Sequence, residues 1–323
     1  MELLKYIKEL NSAIDNASNI YIMAHRFLDL DAIGSSIGIC EYAKSRGKRP
    51  VIIINDTRFE KGVKKVLEKV KKSYNIKRST NIKNNINDNS LLIIVDTNKE
   101  YLLQDPSLFP LFKNKVVIDH HDPSKQSIKE GLVIIDQITS STCEMLTDLL
   151  DKENIKLDSY IATVLLSGIV LDTNNYVIKT TKNTYRTSYV LAEQGAKPEE
   201  VQYMLKQDIN NYVQRQKVIT NVRQIKNVAI SNGKANITYR REDLAKIADT
   251  LLQFDKIEAS FVVGKLEGNN VGISARSLGN INVGKILEKF NGGGDENEAG
   301  ACVSNTTIKR VEEELISIIK SLN

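Results

Sequence analysis

Short, continuously apolar and β-branched runs recur through the first 136 residues: NIYIMA at 19–24, PVIII at 50–54, SLLIIVD at 90–96, KVVID at 115–119 and LVII at 132–135. Their length is that of strands, and their lack of polar alternation predicts strands covered on both faces. Between the first two, residues 32–45 read as a helix that stops at Arg46-Gly47. The alternation predicts an α/β fold with an open, doubly wound parallel sheet. Ligands of such sheets gather beyond the carboxyl ends of the strands. The opening MELLKYIKELNSAID places Leu3, Leu4, Ile7, Leu10 and Ile14 on one helical face. With mixed charge and no cleavage signature, it reads as a packing helix and not a signal peptide.

Further on, Ser140-Ser141-Thr142 precede a helical stretch and read as its N-cap, with phosphate reception at the same helix start as the alternative. The apolar segment IATVLLSGIVLD ends on Asp172, and residues 198–225 turn polar and helical, as a rigid linker would. NVAISN (227–232), ANITYR (235–240), ASFVVGKLEG (259–268) and NVGISARS (270–277) read as strands of a smaller α+β domain, with helices over 241–254, 283–290 and 307–322. The expected division is a first domain at 1–190, a linker at 191–225 and a second domain at 226–323. The Asn- and Lys-rich stretch 73–90 reads as a solvated loop.

Composition narrows function only by exclusion. With 41% apolar and 26% charged residues, the 323-residue chain is ordinary for a soluble protein of two domains. A net charge of +5 suits a phosphate-bearing substrate but is too small for long nucleic acid. Every apolar run is far shorter than the ~20 residues a membrane span needs. Cys40, Cys143 and Cys302 lie far apart without a C-x-x-C, which argues against a zinc ribbon or disulfide framework and for reduced thiols in a cytoplasm.

The histidines carry the chemistry. The chain has three, His25 in HRFLDLD and His120-His121 in DHH, each beside aspartates at the end of an expected strand. Asp96 in DTN and Asp172 in LDTNNY join them. Residues two apart in an extended loop point the same way, so Asp29 and Asp31 can face one cavity that His25 closes. Asp-rich loops are often only turns, and Asp31 could cap the helix that follows. The coincidence of four such stretches at one sheet edge favours a metal site instead. Imidazole and carboxylate without thiolate suit two manganese ions, with magnesium or cobalt as substitutes. Two cations ~3.5–4 Å apart need a shared oxygen ligand, a part suited to a central aspartate such as Asp96.

In this order the motifs resemble those of the DHH phosphoesterase superfamily, and ISARSLGNINV (273–283) with the glycines at 292–294 resembles its DHHA1 partner domain. Within it the chain most closely resembles the catalytic portion of GdpP-type cyclic-di-AMP phosphodiesterases. The resemblance implies one manganese held by His25, Asp29 and Asp96, and a second by Asp31, Asp96, His120 and Asp172. It also implies His121 beside the scissile phosphate, with Asp119 orienting the histidine next to it. Arg276 and Ser274, with Gly292, Gly293 and Gly294, would hold the substrate's distal part. The implied partner is a cyclic or short linear dinucleotide, with no membrane contact in this chain; a homodimer is a candidate assembly.

One position departs from the pattern. The family has a histidine after the glycine run, where this chain has Asp295 followed by Glu296 and Glu298. A carboxylate repels phosphate and donates no hydrogen bond, so weaker substrate capture is expected. Alternatives are a nanoribonuclease-like or pAp-phosphatase-like hydrolase, or a cyclic-dinucleotide-binding module with impaired catalysis. GdpP-type proteins usually carry membrane helices, a PAS domain and a degenerate cyclase-like domain ahead of this portion, so the chain reads as a free-standing or excised catalytic unit.

Overall fold

The computed structural model describes residues 2–57, 59–206 and 208–321. The chain divides into two compact units, Met1–Lys206 and Gln207–Asn323. The first holds strands β1 (Asn19–Met23), β2 (Val51–Ile53), β3 (Asn75–Lys77), β4 (Ser90–Val95), β5 (Asn114–Asp119) and β6 (Leu132–Ile135). Its helices are α1 (Ile7–Asn16), α2 (Leu30–Ser45), α3 (Lys61–Val70), α4 (Thr142–Lys152), α5 (Ser159–Asp172), α6 (Lys182–Glu193) and α7 (Pro198–Met204).

All six strands pair in parallel, in the order β3-β2-β1-β4-β5-β6. The order reverses between β1 and β4, so the crevice beyond their carboxyl ends is the switch point where open α/β sheets bind ligands. The continuous apolar runs are explained by burial on both faces. Leu91, Ile93 and Val95 of β4 join the core shared with α2, α4 and α5. The alternate Leu92 and Ile94 pack against Leu108, Phe109 and Phe112, which lie in or beside a 3-10 segment on the opposite face.

The second unit has α8 (Ile209–Ile219), β7 (Arg223–Ile225), β8 (Val228–Asn232), α9 (Arg241–Leu251), β9 (Ala259–Lys265), β10 (Asn270–Ser277), α10 (Val283–Glu288), β11 (Gly293–Gly294), β12 (Glu298–Ser304) and α11 (Ile308–Lys320). Its mixed sheet runs β11-β12-β10-β9-β8-β7, antiparallel except between β8 and β9. Ile273 and Ala275 of β10 enter the core with residues of α10 and α11. Ser274 and Arg276 therefore share the opposite face of the strand.

Two expectations are corrected. Residues 235–240 form no strand: only Thr238 bridges β9, because β8 and β10 already occupy its two edges. The loop expected over 73–90 contains the short edge strand β3 and two 3-10 turns. Within the glycine run, Gly293 and Gly294 pair with Gly300 and Ala299. The stretch expected as a linker contains α7, in the first unit, and α8, in the second. Leu322, at the end of the last expected helix, lies outside the described residues. Among the described residues, no helix is long and apolar enough to cross a membrane.

Candidate metal centre

Each candidate ligand leaves a regular element at one end, which fixes where its side chain goes. His25 follows β1, with its backbone carbonyl held by Gln104 Nε2 at 2.7 Å. Asp29 is the N-cap of α2, and its Oδ1 accepts from Ala32 N at 2.9 Å. Asp31, buried in the first turn of α2, accepts from Thr142 N (2.9 Å) and Cys143 N (2.8 Å), the first two amides of α4. Those amides belong to an aspartate, so they are not free for a phosphate as the alternative reading required; Ser141 is the N-cap, accepting from Glu144 N. Asp96 follows β4 with φ of 60°, a left-handed conformation that aspartate tolerates better than most residues. Asp119 ends β5, His120 and His121 follow it, and Asp172 is the last residue of α5.

These side chains converge. Ligand atoms of His25, Asp29 and Asp96 lie within 4.8 Å of one another, as do those of Asp31, Asp96, His120 and Asp172, and those of Asp96, His120 and His121. Asp96 belongs to all three groups. Its Oδ2 is 3.2 Å from His25 Nε2 and its Oδ1 is 3.6 Å from His120 Nε2. Asp119 stands behind the cluster: its Oδ1 accepts from His120 N at 2.9 Å and lies 2.8 Å from His121 Nδ1.

Two features fit divalent cations. Nε2 of His120 is buried and makes no hydrogen bond among the described residues, though the Asp172 carboxylate is 3.2 Å away. A buried nitrogen aimed at oxygens without a hydrogen bond is what a shared cation would satisfy. The second feature is crowded negative charge. Burial, together with the Asp96 and Asp172 carboxylates, pushes Asp31 well above the usual carboxylate range. Burial also raises Asp172, against the pull of His120. Burial would raise Asp96 as well, but His120 and His25 hold it well below. Carboxylates crowded at this density call for a cation between them.

The histidines supply a pH test. Burial lowers His25, yet Asp29 and Asp96 outweigh it and leave it well above the ordinary value; Asp172 and Asp96 do the same for His120. Metal ligation needs neutral imidazole, so cation uptake should release protons near neutral pH and weaken as pH falls. The metal-free protein has the opposite sign. A raised folded-state pKa contributes stability that is complete below the unfolded value of about 6.5 and fades as pH rises through the folded value. Calorimetric titration with manganese near pH 7, in buffers of different ionisation enthalpy, should give buffer-dependent heats. Equal heats in all buffers would contradict this ligand set.

Sequence reading overlooked two side chains that hold the loops in place. Asn98 Nδ2 donates to Asp119 Oδ2 (2.7 Å) and to the His121 carbonyl (3.1 Å). Gln104 Nε2 reaches Asp56 Oδ2 as well as the His25 carbonyl, and Asp56 Oδ2 accepts from Leu28 N. Asn98 lies two residues after Asp96 in the motif stretch, which was the only signal available; Gln104 offered none.

In the second unit, the Arg276 guanidinium donates to Asp249 Oδ1 at 2.7 Å and to the Ala275 carbonyl, with Glu298 3.7 Å away. Asp295 Oδ1 accepts from the backbone of Asn297 (2.8 Å) and Glu298 (2.7 Å), closing the turn between β11 and β12. Gly294, at φ of 149°, admits no side chain, because a Cβ would meet the Glu298 carbonyl at 2.2 Å; Gly293 is open.

An open parallel sheet with a shared-aspartate cluster at its switch point, followed by a mixed-sheet unit, defines a two-part α/β protein whose cluster could hold metal ions. Residues 19–169 match the DHH family, N-terminal domain, and residues 226–323 match the DHHA1 domain. The first unit thus carries a DHH-family N-terminal domain and the second a DHHA1 domain. It is 34% identical to the cyclic-di-AMP phosphodiesterase GdpP of Geobacillus thermodenitrificans, over 95% of this chain and 48% of that protein. It is 33% identical to the cyclic-di-AMP phosphodiesterase PdeA of Listeria monocytogenes, over 96% of this chain and 48% of that one. The chain thus spans about half the length of these curated relatives. An exopolyphosphatase-related protein from Bacteroides fragilis has the same fold, with a TM-score of 0.80 at 20% identity, covering 99% of this chain and 97% of that one.

Proposed function

We propose that this chain is a manganese-dependent phosphodiesterase that opens cyclic di-AMP to the linear dinucleotide pApA. The observation that carries the reading is the position of Asp96 in every ligand group of the cluster. Similarity to cyclic-di-AMP phosphodiesterases along almost the whole chain supports the choice of substrate. His25, Asp29 and Asp96 would hold one cation, and Asp31, Asp96, His120 and Asp172 the other. Bound there, the cations would acidify an attacking water and steady charge on the phosphoryl oxygens. Mixed imidazole and carboxylate ligation without thiolate suits manganese, with magnesium or cobalt as substitutes.

The remaining groups act on protons and position. Asp119 takes Nδ1 of His121, which leaves Nε2 of that half-exposed ring as the proton donor toward the departing oxygen. Burial lowers the His121 pKa, but Asp119 outweighs it and leaves the imidazole raised, as a general acid at neutral pH requires. In the second unit we assign Ser274, Arg276 and Gly292-Gly293-Gly294 as nucleotide contacts. Asp249 and Glu298 already engage Arg276, and Asp295 adds negative charge in place of the family histidine, so the grip on phosphate is weaker than in the relatives.

The test is a rate comparison with manganese on cyclic di-AMP, cyclic di-GMP, pApA and pAp. Fastest conversion of cyclic di-AMP to pApA, abolished by chelator, is the expected result. Faster attack on pApA or pAp would assign a hydrolase of short linear nucleotides instead, and tight cyclic-dinucleotide binding without turnover would assign a sensor.

A further inference from the structure

Phe27 sits between two candidate ligands, two residues from His25 and two from Asp29. Neighbouring Cα atoms are 3.8 Å apart, so it lies within roughly 7.6 Å of each, Cα to Cα. Its backbone is left-handed, with φ of 63°, a conformation that bulky side chains rarely adopt. The residue is 71% exposed. The fold thus bears two costs at one residue, backbone strain and a large aromatic surface left in water.

Tyr176 sharpens the contrast. It is also left-handed, at φ of 64°, but its ring stacks on Tyr185 at 5.6 Å and its hydroxyl bonds Ser188. Packing accounts for Tyr176; among the described residues, nothing comparable accounts for Phe27. The only ring contact of Phe27 described is Arg26, whose guanidinium lies 6.0 Å from the ring centroid.

The residues on either side are nevertheless fixed. Arg26 N donates to the Leu102 carbonyl at 2.7 Å, and Leu28 N donates to Asp56 Oδ2 at 2.9 Å. Leu28 itself is buried. The Phe27 ring is therefore carried outward by a clamped loop, and a cation stands beside it.

We propose that Phe27 is the platform on which a nucleobase of the substrate stacks, next to the phosphodiester held at the cluster. Aromatic faces take any base by stacking, and an adjacent guanidinium suits the attached phosphate. The inference deepens the nucleotide-hydrolase reading and rests on it.

The experiment compares Phe27→Ala, Phe27→Gly and Phe27→Tyr with the wild type on cyclic di-AMP. In the alanine and glycine variants KM should rise ~5- to 100-fold, the range seen when one stacked base loses its aromatic partner. In these variants kcat and manganese uptake should hold within about threefold, and tyrosine should restore KM. Glycine accepts the left-handed backbone freely, so Phe27→Gly should melt no lower than the wild type. An unchanged KM in both variants overturns the proposal, as does a rise in KM tracking a lowered melting temperature in Phe27→Gly.

The chain contains no tryptophan, so Phe27→Trp places a single reporter at the platform. Its fluorescence should be quenched saturably by cyclic di-AMP and by AMP, and not by ribose 5-phosphate. Absence of quenching overturns the platform. If the wild type fails to hydrolyse cyclic di-AMP, the hydrolase reading falls, and quenching by nucleotides alone still decides whether Phe27 binds a base.

Discussion

The Asp96→Asn variant is expected to lose metal-dependent hydrolysis of cyclic di-AMP almost completely while keeping its fold. Asparagine matches aspartate in shape and tolerates the left-handed backbone at this position, where alanine would add strain. The side chain is buried, accepts from Thr142 Oγ1 at 3.3 Å, and stands between His25 and His120. The substitution removes the negative charge from every ligand group and leaves a single oxygen where Oδ2 now faces His25 and Oδ1 faces His120. Charge stabilisation by a bound cation is worth several kcal/mol, and at about 1.4 kcal/mol per tenfold the loss in kcat should be ~10³-fold or more. Manganese titration should show fewer than two sites, with an unchanged far-ultraviolet circular dichroism spectrum. A variant that keeps a tenth of the wild-type kcat would remove Asp96 from the centre of the mechanism.

What could be read from the sequence follows from how local each signal is. Strands β1, β4 and β5 announce themselves because a strand buried on both faces must be apolar throughout, and Asp96 and Asp119 stand out as the first charges after such runs. Strand β3 hides because NIK lies at a sheet edge, half in water, and needs no apolar run. Strands β11 and β12 hide because glycine and alanine give no β-branched pattern; their pairing is explained by the turn that Asp295 closes. The reverse error at 235–240 arises because ANITYR has the pattern of a strand but lies against β9, whose two edges are taken by β8 and β10. For the site, ligand identity was local and ligand support was not. Nothing near Gln104 in sequence says that it will hold the carbonyl of His25, and nothing near Gly168 says that it will lie against Asp31.

Gly168 leads to the second large effect, in the Gly168→Ala variant. In an ordinary helix interior, alanine for glycine stabilises by up to about 1 kcal/mol. Here a Cβ would stand 2.6 Å from Cys143 Sγ, 2.8 Å from Asp31 Oδ1 and 3.0 Å from Asp31 Cα. The helix α5 therefore approaches α2 and α4 more closely than any side chain allows, and overpacking should cost about 1–3 kcal/mol instead. The functional loss should be larger than the loss of stability. Asp31 is held by two amides of α4 in one orientation, and Asp172 lies one turn beyond Gly168 on the same helix. Displacing Asp31 by even 1 Å should lower kcat on the order of 10²-fold, the penalty that misplaced groups incur in a preorganised site. Gly34 provides the control. A Cβ there would also meet Cys143 Sγ at 2.6 Å and would crowd the Val164 carbonyl at 3.3 Å, but the Asp31 side chain comes no nearer to it than the Leu165 Cα at 3.8 Å. Adding Cys143→Ala to Gly34→Ala should thus recover both melting temperature and turnover. Adding it to Gly168→Ala should recover melting temperature alone, because the contact with the Asp31 carboxylate persists. Equal recovery of turnover in the two double variants would mean that the thiol is what matters at Gly168, and that the carboxylate tolerates displacement.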